Sequence, residues 1–307
     1  MAAVPEQVNI PILLCMERHI FAKHGLEVVH RVVPEGTGKM LDLLESREVD
    51  VALTVTDGFI AGKAAGRRVN LAGVFVESPL IWAVAVSAQA PSGVALNQLA
   101  DLIPSKKLGA LPNKCRFGIS RLGSGSHTMA IYTGKHLLNL DRSSLEFVVT
   151  NNINGLRDGV HTDKFDAFMW ETFTTKPLFD AGELKKLGEV VTPWPAFSFV
   201  SSAHMEKDMQ LSLKRRLFPA LAEGVALFVG GGDDMIQRIC QEHGHTEKDA
   251  RLWMSSCKYA VNEGVAPMAI KRAAMTFAID VLREADLVPG GYDAQDLWQG
   301  NEASTII

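Results

Sequence analysis

Val49–Gly66 (VDVALTVTDGFIAGKAAG) decides the fold class. Its first seven residues are rich in β-branched and aliphatic side chains, as a buried strand requires. Asp57 then opens a short apolar segment that reads as a helix and stops at Gly66. A strand that turns directly into a helix is the repeating step of an α/β protein. The same step recurs on both sides. Upstream, Asn9–His24 reads as a helix capped by Gly25, Leu26–Val33 as a strand closed by Pro34, and Gly36–Glu48 as a helix with Met40, Leu41, Leu43 and Leu44 on one face. Downstream, Val69–Val76 is a further strand and Leu80–Ser87 another. Strands separated by helices of this length predict a mainly parallel sheet.

The pattern begins again in the middle of the chain. Arg116–Ser120 reads as a strand, Leu122–His127 as a loop and Thr128–Leu138 as a helix. Leu145–Thr150 is a strand, Asn154–Asp163 a helix and Phe165–Trp170 a strand, with a further helical turn expected within Leu178–Leu187. The segment Ala90-Pro91-Ser92-Gly93 and the two-proline stretch Val190–Phe199 read as crossovers. The expected division is therefore 1–86 plus 195–307 for a discontinuous first lobe and 87–194 for an inserted second lobe. The last third reads as helices: Met209–Val229, Asp233–His243, a capped helix opened by Thr246 and ending at Cys257, and Pro267–Ala285. Two lobes connected twice are expected to form a hinged cleft with strand ends facing it.

Composition narrows the function. The length of 307 residues, at about 150 residues per domain, fits two domains. A net charge of −4, from 31 Lys+Arg against 35 Asp+Glu, argues against a nucleic-acid partner, which needs a basic face. No apolar run reaches the ~18 residues of a membrane span, so no membrane insertion is expected. Cys15, Cys115, Cys240 and Cys257 are widely spaced, without zinc-ribbon pairs, and read as reduced thiols. Cys115 between Lys114 and Arg116 reads as a passive thiol. The first residues lack a basic, then apolar, export pattern, so a cytoplasmic location and no transporter partner are expected, unless a leader was removed.

Three segments carry a family resemblance: Pro5–Ile12 followed by Phe21–Val28, then Leu44–Ala52, then Phe165–Glu171. In order and spacing they resemble the type II periplasmic-binding-protein family. The branch is that of nitrate, sulfonate and taurine solute-binding proteins and of fungal thiamine-pyrimidine synthases, and the likeness is nearest to its leaderless eukaryotic-type members. The resemblance implies two lobes, each a mixed, mainly parallel sheet flanked by helices. It also implies a first strand ahead of Glu6 and Gln7, which here is either very short or truncated. The synthases' reaction does not carry over. Their cofactor lysine would fall near Thr54, their histidine near Asp57 or Gly58, and their cysteine run near Pro195–Phe199. A Schiff base needs an amine, which Thr54 lacks. No cofactor and no metal are therefore expected.

The candidate ligand residues sit at strand ends. Ser124-Gly125-Ser126-His127 lies between a strand and a helix, where glycines allow close approach and free N–H groups suit an anion; the alternative is that the serines only cap the helix. Thr54, Thr56 and Asp57 end a strand in the first lobe, where Asp57 either meets a ligand amine or caps the helix. Trp170 and Glu171 end a strand of the second lobe and could stack on and accept from a flat ligand. Glu6, Gln7 and Asn152 offer polar groups at other strand ends, and Trp82 and Trp194 lie on the crossovers. His243-Gly244-His245 reads as a helix-end turn rather than a metal site, because no third ligand accompanies it. The leading reading is a hinge-closing binder of a small polar or anionic, pyrimidine- or sulfonate-like metabolite. Two alternatives are an enzyme of thiamine-pyrimidine type, using His127 with Glu171, and a partner protein that has lost its ligand.

Overall fold

The computed structural model describes residues 1–91, 93, 95–104, 114–261 and 271–298. The chain divides into two units, Met1–Pro79 with Pro193–Ile307 and Leu80–Thr192. In chain order, the first unit begins with β1 (Ala2–Ala3), α1 (Ile10–Glu17), α2 (Ile20–Lys23), β2 (Arg31–Val32), α3 (Thr37–Glu45), β3 (Val51–Val55), α4 (Thr56–Ala64) and β4 (Val69–Val76). The second comprises β5 (Ile81–Ser87), β6 (Cys115–Ile119), α5 (Gly125–Tyr132), β7 (Leu145–Val149), α6 (Ile153–His161), β8 (Ala167–Glu171), α7 (Thr172–Asp180) and β9 (Leu184–Val191). The chain returns with β10 (Phe197–Ser202), α8 (Lys207–Gly230), α9 (Gly232–His243), α10 (Glu247–Ser256), α11 (Arg272–Glu284) and α12 (Ala294–Trp298).

The first sheet has the order β2-β1-β3-β10-β4. β1 pairs in parallel with β2 and β3, while β10 runs antiparallel between β3 and β4. All eight residues of β4 are buried, which explains its almost uninterrupted apolar sequence. The second sheet has the order β7-β6-β8-β5-β9, with β6 parallel to β7 and β8, and β5 antiparallel to β8 and β9. In each sheet the parallel strands are followed by helices, so their carboxyl ends present helix N-termini.

Phe165 shows how the second unit closes. Its ring fills space that Cβ atoms would otherwise occupy at Gly118 of β6 and Gly159 of α6, 2.3 and 2.2 Å from the ring respectively. Phe165 is buried with Ala85, Leu156, Val160, Phe168 and Leu184. The two glycines let the helix approach the sheet with one aromatic ring between them.

The structure corrects several expectations. Asn9–His24 is not one helix: α1 ends at Glu17, His19 takes the left-handed conformation (φ 54°), and α2 is a separate short turn. The expected strand Leu26–Val33 contracts to Arg31–Val32, because its only partner, β1, has two residues. The lobe boundary at residue 86 moves to Pro79, because β5 hydrogen-bonds β8 and β9 in the second sheet. The crossover expected at Ala90–Gly93, of which Ser92 lies outside the described residues, therefore falls earlier, after Pro79. The helical turn expected within Leu178–Leu187 is the end of α7, which stops at Asp180, and Leu184–Val191 forms an edge strand. The return crossing is Thr192–Pro193, and Phe197 already belongs to β10. The helix expected from Pro267 is seen from Arg272; residues 267–270 lie outside the described residues.

Gly118→Ala and Gly159→Ala should each destabilise the protein by about 1–3 kcal/mol, the usual cost of overpacking. Urea denaturation checks this, and the double variant should cost less than the sum, since both push on the same ring.

Candidate functional site

The loop from Ser120 to His127 is held by its own hydroxyls. Ser124 is the N-cap of α5, and its Oγ accepts from the His127 N–H at 3.3 Å. The Ser124 hydroxyl donates to the Arg121 carbonyl at 2.7 Å. That leaves the Ser126 hydroxyl to donate to Ser124 Oγ, at 3.0 Å. Ser126 Oγ in turn accepts from the Ser120 backbone N–H at 3.0 Å and lies 3.3 Å from Ser120 Oγ. Ser120, Ser124 and Ser126 are all buried. The side chains proposed from the sequence as ligand donors therefore have their protons committed inside the loop, and the capping role of Ser124 is observed directly.

What the loop leaves available is backbone and the Nε2 of His127, which is buried without a hydrogen-bond partner. The N–H groups of Gly125 and Ser126 form the first turn of α5 and have no acceptor among the described residues. Gly123, at φ 76°, supplies the left-handed turn that aims this end of the helix. Its N–H donates to His127 Nδ1 at 3.2 Å, which fixes the neutral tautomer with the proton on Nε2. Burial, aided by the charge of Arg142, lowers the His127 pKa to about 4. The imidazole meets Phe147 edge-on at 4.7 Å, and the Arg142 guanidinium lies 4.6 Å from the same ring. His127 is thus a neutral strut of the loop at ordinary pH.

Other strand ends in the second unit are also capped. Asn152 Oδ1 accepts from the Gly155 N–H at 3.0 Å, capping α6. Glu171 caps α7, accepting from the Thr174 N–H at 2.7 Å and its hydroxyl at 2.9 Å. Burial raises the Glu171 pKa. Trp170 and Glu171 cannot act on one ligand face, because neighbouring strand residues point to opposite faces. Trp170 packs against the cluster of Leu156, Val160 and Phe168, whereas Glu171 shares the face of its cross-strand partner Trp82. His127 and Glu171 have separate partners and form no acid–base pair.

In the first unit, Thr54 Oγ1 donates to the Ser198 carbonyl at 3.3 Å and Thr56 Oγ1 lies 2.8 Å from Ser198 Oγ. Both threonines are fully buried against β10. Asp57 is not the N-cap of α4; Val55 is. Burial pushes the pKa of the buried Asp57 carboxyl up to about 6, against the opposing pull of the backbone N–H groups of residues 57 and 58. Glu6 is exposed beside a short 3-10 turn, and Gln7 within that turn is buried. Trp194 is buried. His243 and Gly244 end α9, with Gly244 at φ 70° donating to the Cys240 carbonyl, and no metal-binding cluster occurs among the described residues. No helix among the described residues is long and apolar enough to cross a membrane. One residue at the strand ends escaped sequence reading. Thr172, which follows Glu171, is buried with its hydroxyl unpartnered. Nothing in a lone threonine at a helix start distinguishes it from a capping residue.

Comparison with solved structures places this geometry. The Candida albicans CA3427 gene product, described as defining a new family with the generic periplasmic binding protein fold, superposes with a TM-score of 0.82 at 26% identity, covering 100% of this chain and 94% of that one. The alkanesulfonate-binding protein SsuA from Xanthomonas axonopodis pv. citri, bound to MOPS, gives 0.72 at 14% identity over 96% of each chain. The fold is that of the type II periplasmic binding proteins. The periplasmic nitrate-binding protein NrtA from Synechocystis PCC 6803 shares it, with a TM-score of 0.67 at 10% identity over 99% of this chain and 84% of that one. Residues 103–190, most of the second unit, match the family model described as Ca3427-like periplasmic binding protein. No curated protein sequence matches the chain. In this type II fold the α5 loop stands at the carboxyl end of β6, where open α/β sheets receive ligands.

Two measurements check the loop. Ser126→Ala removes the acceptor of a buried N–H and should cost about 1–3 kcal/mol in urea denaturation. His127 carries its proton less readily when folded, so its contribution to stability is fully present above its ordinary pKa of 6.5 and is lost as pH falls toward about 4. His127→Asn keeps an acceptor for the Gly123 N–H and should flatten that part of the stability–pH profile.

Proposed function

We propose that this chain reversibly binds a small polar or anionic metabolite, of sulfonate-like or pyrimidine-like chemistry, through the carboxyl ends of its strands. The observation that carries the reading is the pair of unsatisfied N–H groups at Gly125 and Ser126 on the N-terminus of α5. Such a terminus offers two donors and a partial positive charge to an oxyanion. The surrounding hydroxyls hold the loop rigid, so little ordering is required on binding. The SsuA neighbour, whose structure contains MOPS, supports a sulfonate as the first chemistry to try.

Native mass spectrometry of the purified protein tests for a retained small molecule, and a thermal-shift series with MOPS, ethanesulfonate, nitrate and an aminopyrimidine tests the class. A ligand at one hundred times its Kd should add about 2.7 kcal/mol of stability. Gly125→Pro is the decisive variant. Residue 125 is the first helical position, where proline is tolerated, and Ser124 before it is already extended (ψ 164°). The variant should keep its thermal midpoint without ligand yet bind roughly tenfold or more weakly, having lost one N–H to a charged group. Unchanged affinity in Gly125→Pro would remove the α5 terminus from the site.

A further inference from the structure

Among the described residues, the buried polar atoms without a hydrogen-bond partner include Trp82 Nε1 and Thr172 Oγ1. The two residues are 9% and 8% exposed. They are also neighbours in the sheet: Trp82 of β5 lies directly across from Glu171 of β8, and Thr172 is the next residue. Two polar groups beside it in the sheet are engaged elsewhere. The Glu171 carboxylate turns over α7 to accept from Thr174. Thr192 Oγ1, two residues beyond Trp82's other cross-strand partner Val190, accepts from the Leu80 N–H at 3.0 Å.

A buried donor left unpaired costs about 1–3 kcal/mol, so a folded protein keeps one where something outside the chain completes it. The indole N–H only donates, so the missing partner of Trp82 is an acceptor; the hydroxyl of Thr172 can donate to the same group.

We propose that Trp82 and Thr172 are specificity-determining residues of the ligand site: they receive a hydrogen-bond acceptor of the ligand, such as a carbonyl oxygen or ring nitrogen, at a point separate from the anionic group taken by α5. This rests on the binding reading above and narrows the ligand to a small acid that also carries a carbonyl or a heterocyclic nitrogen.

The test uses the full chain and two isosteric changes. Thr172→Val deletes the hydroxyl, and replacing Trp82 with its benzothiophene analogue deletes the N–H while keeping the bicyclic ring. Without ligand, neither change should lower the thermal midpoint, and a rise of roughly 1–3 °C is expected from removing an unpaired polar group. A fall of the midpoint in both variants would show that water or the chain already satisfies these groups, and would overturn the proposal. The second arm compares two sulfonates by calorimetry: N-acetyltaurine, which has an amide carbonyl, and pentane-1-sulfonate, which has none. The unmodified protein should prefer N-acetyltaurine by about tenfold, the worth of one well-made hydrogen bond. Both variants should lose that preference while holding pentane-1-sulfonate as before. A preference that survives both changes also overturns the proposal. If neither sulfonate binds the unmodified protein, the anion reading fails on its own, and the midpoint arm still decides whether Trp82 and Thr172 await a partner.

Discussion

The return strand β10 is the constraint on which the rest of this architecture depends. Among the described residues, β4 has β10 as its only neighbour in the first sheet, and β10 is made of residues that follow the whole second unit. All six residues of β10 are buried, and their backbone pairs run to Leu53 and Val55 on one side and to Leu71 and Val76 on the other. The first unit therefore cannot complete its sheet until the inserted unit has been built and the chain has come back. Sheet pairing of this separation carries a loop-closure cost that must be met before the contacts repay it. It also determines which threonines are available for chemistry. Thr54 and Thr56 face Ser198 of β10, so their hydroxyls serve the joint rather than a ligand.

A similar economy governs the second unit. Polar side chains that look like ligand contacts are used to hold helix ends: Ser124 caps α5, Asn152 caps α6 and Glu171 caps α7. The rigid frame that results exposes two backbone N–H groups and leaves an indole N–H and a threonine hydroxyl unpaired. Binding through a preorganised backbone and a few orphaned donors needs no flexible charged arm. The fold is shared with proteins named for sulfonate and nitrate binding. It also bears on the enzymatic alternative. The one acid–base pair the sequence offered, His127 with Glu171, is divided between two unrelated hydrogen-bond networks, and the imidazole is held neutral.

Legibility followed the range of the forces involved. The strands at Val69–Val76 and Leu145–Val149 and the helix after Gly36 were readable because their apolar period is local. The strand at Arg31–Val32 was overestimated because an apolar run states a propensity, whereas a strand's length is set by its partner. The strand Leu184–Val191 was not read as one, because a segment carrying Lys185, Lys186 and Glu189 suits an edge strand only once β5 is known to lie beside it. Trp170 looked like part of a binding pair with Glu171 until the pleat placed the two on opposite faces.

By itself, the sequence determined the α/β class, the two-unit organisation, the double connection and the glycine-and-serine loop at a strand end, since each is written in neighbouring residues. Only the tertiary structure decided where the units divide, which hydroxyls are spent and which donors remain. Those outcomes depend on what stands opposite each residue, across a sheet or over a helix end, and a hydrogen-bond partner 50 or 150 residues away leaves no mark on the local pattern.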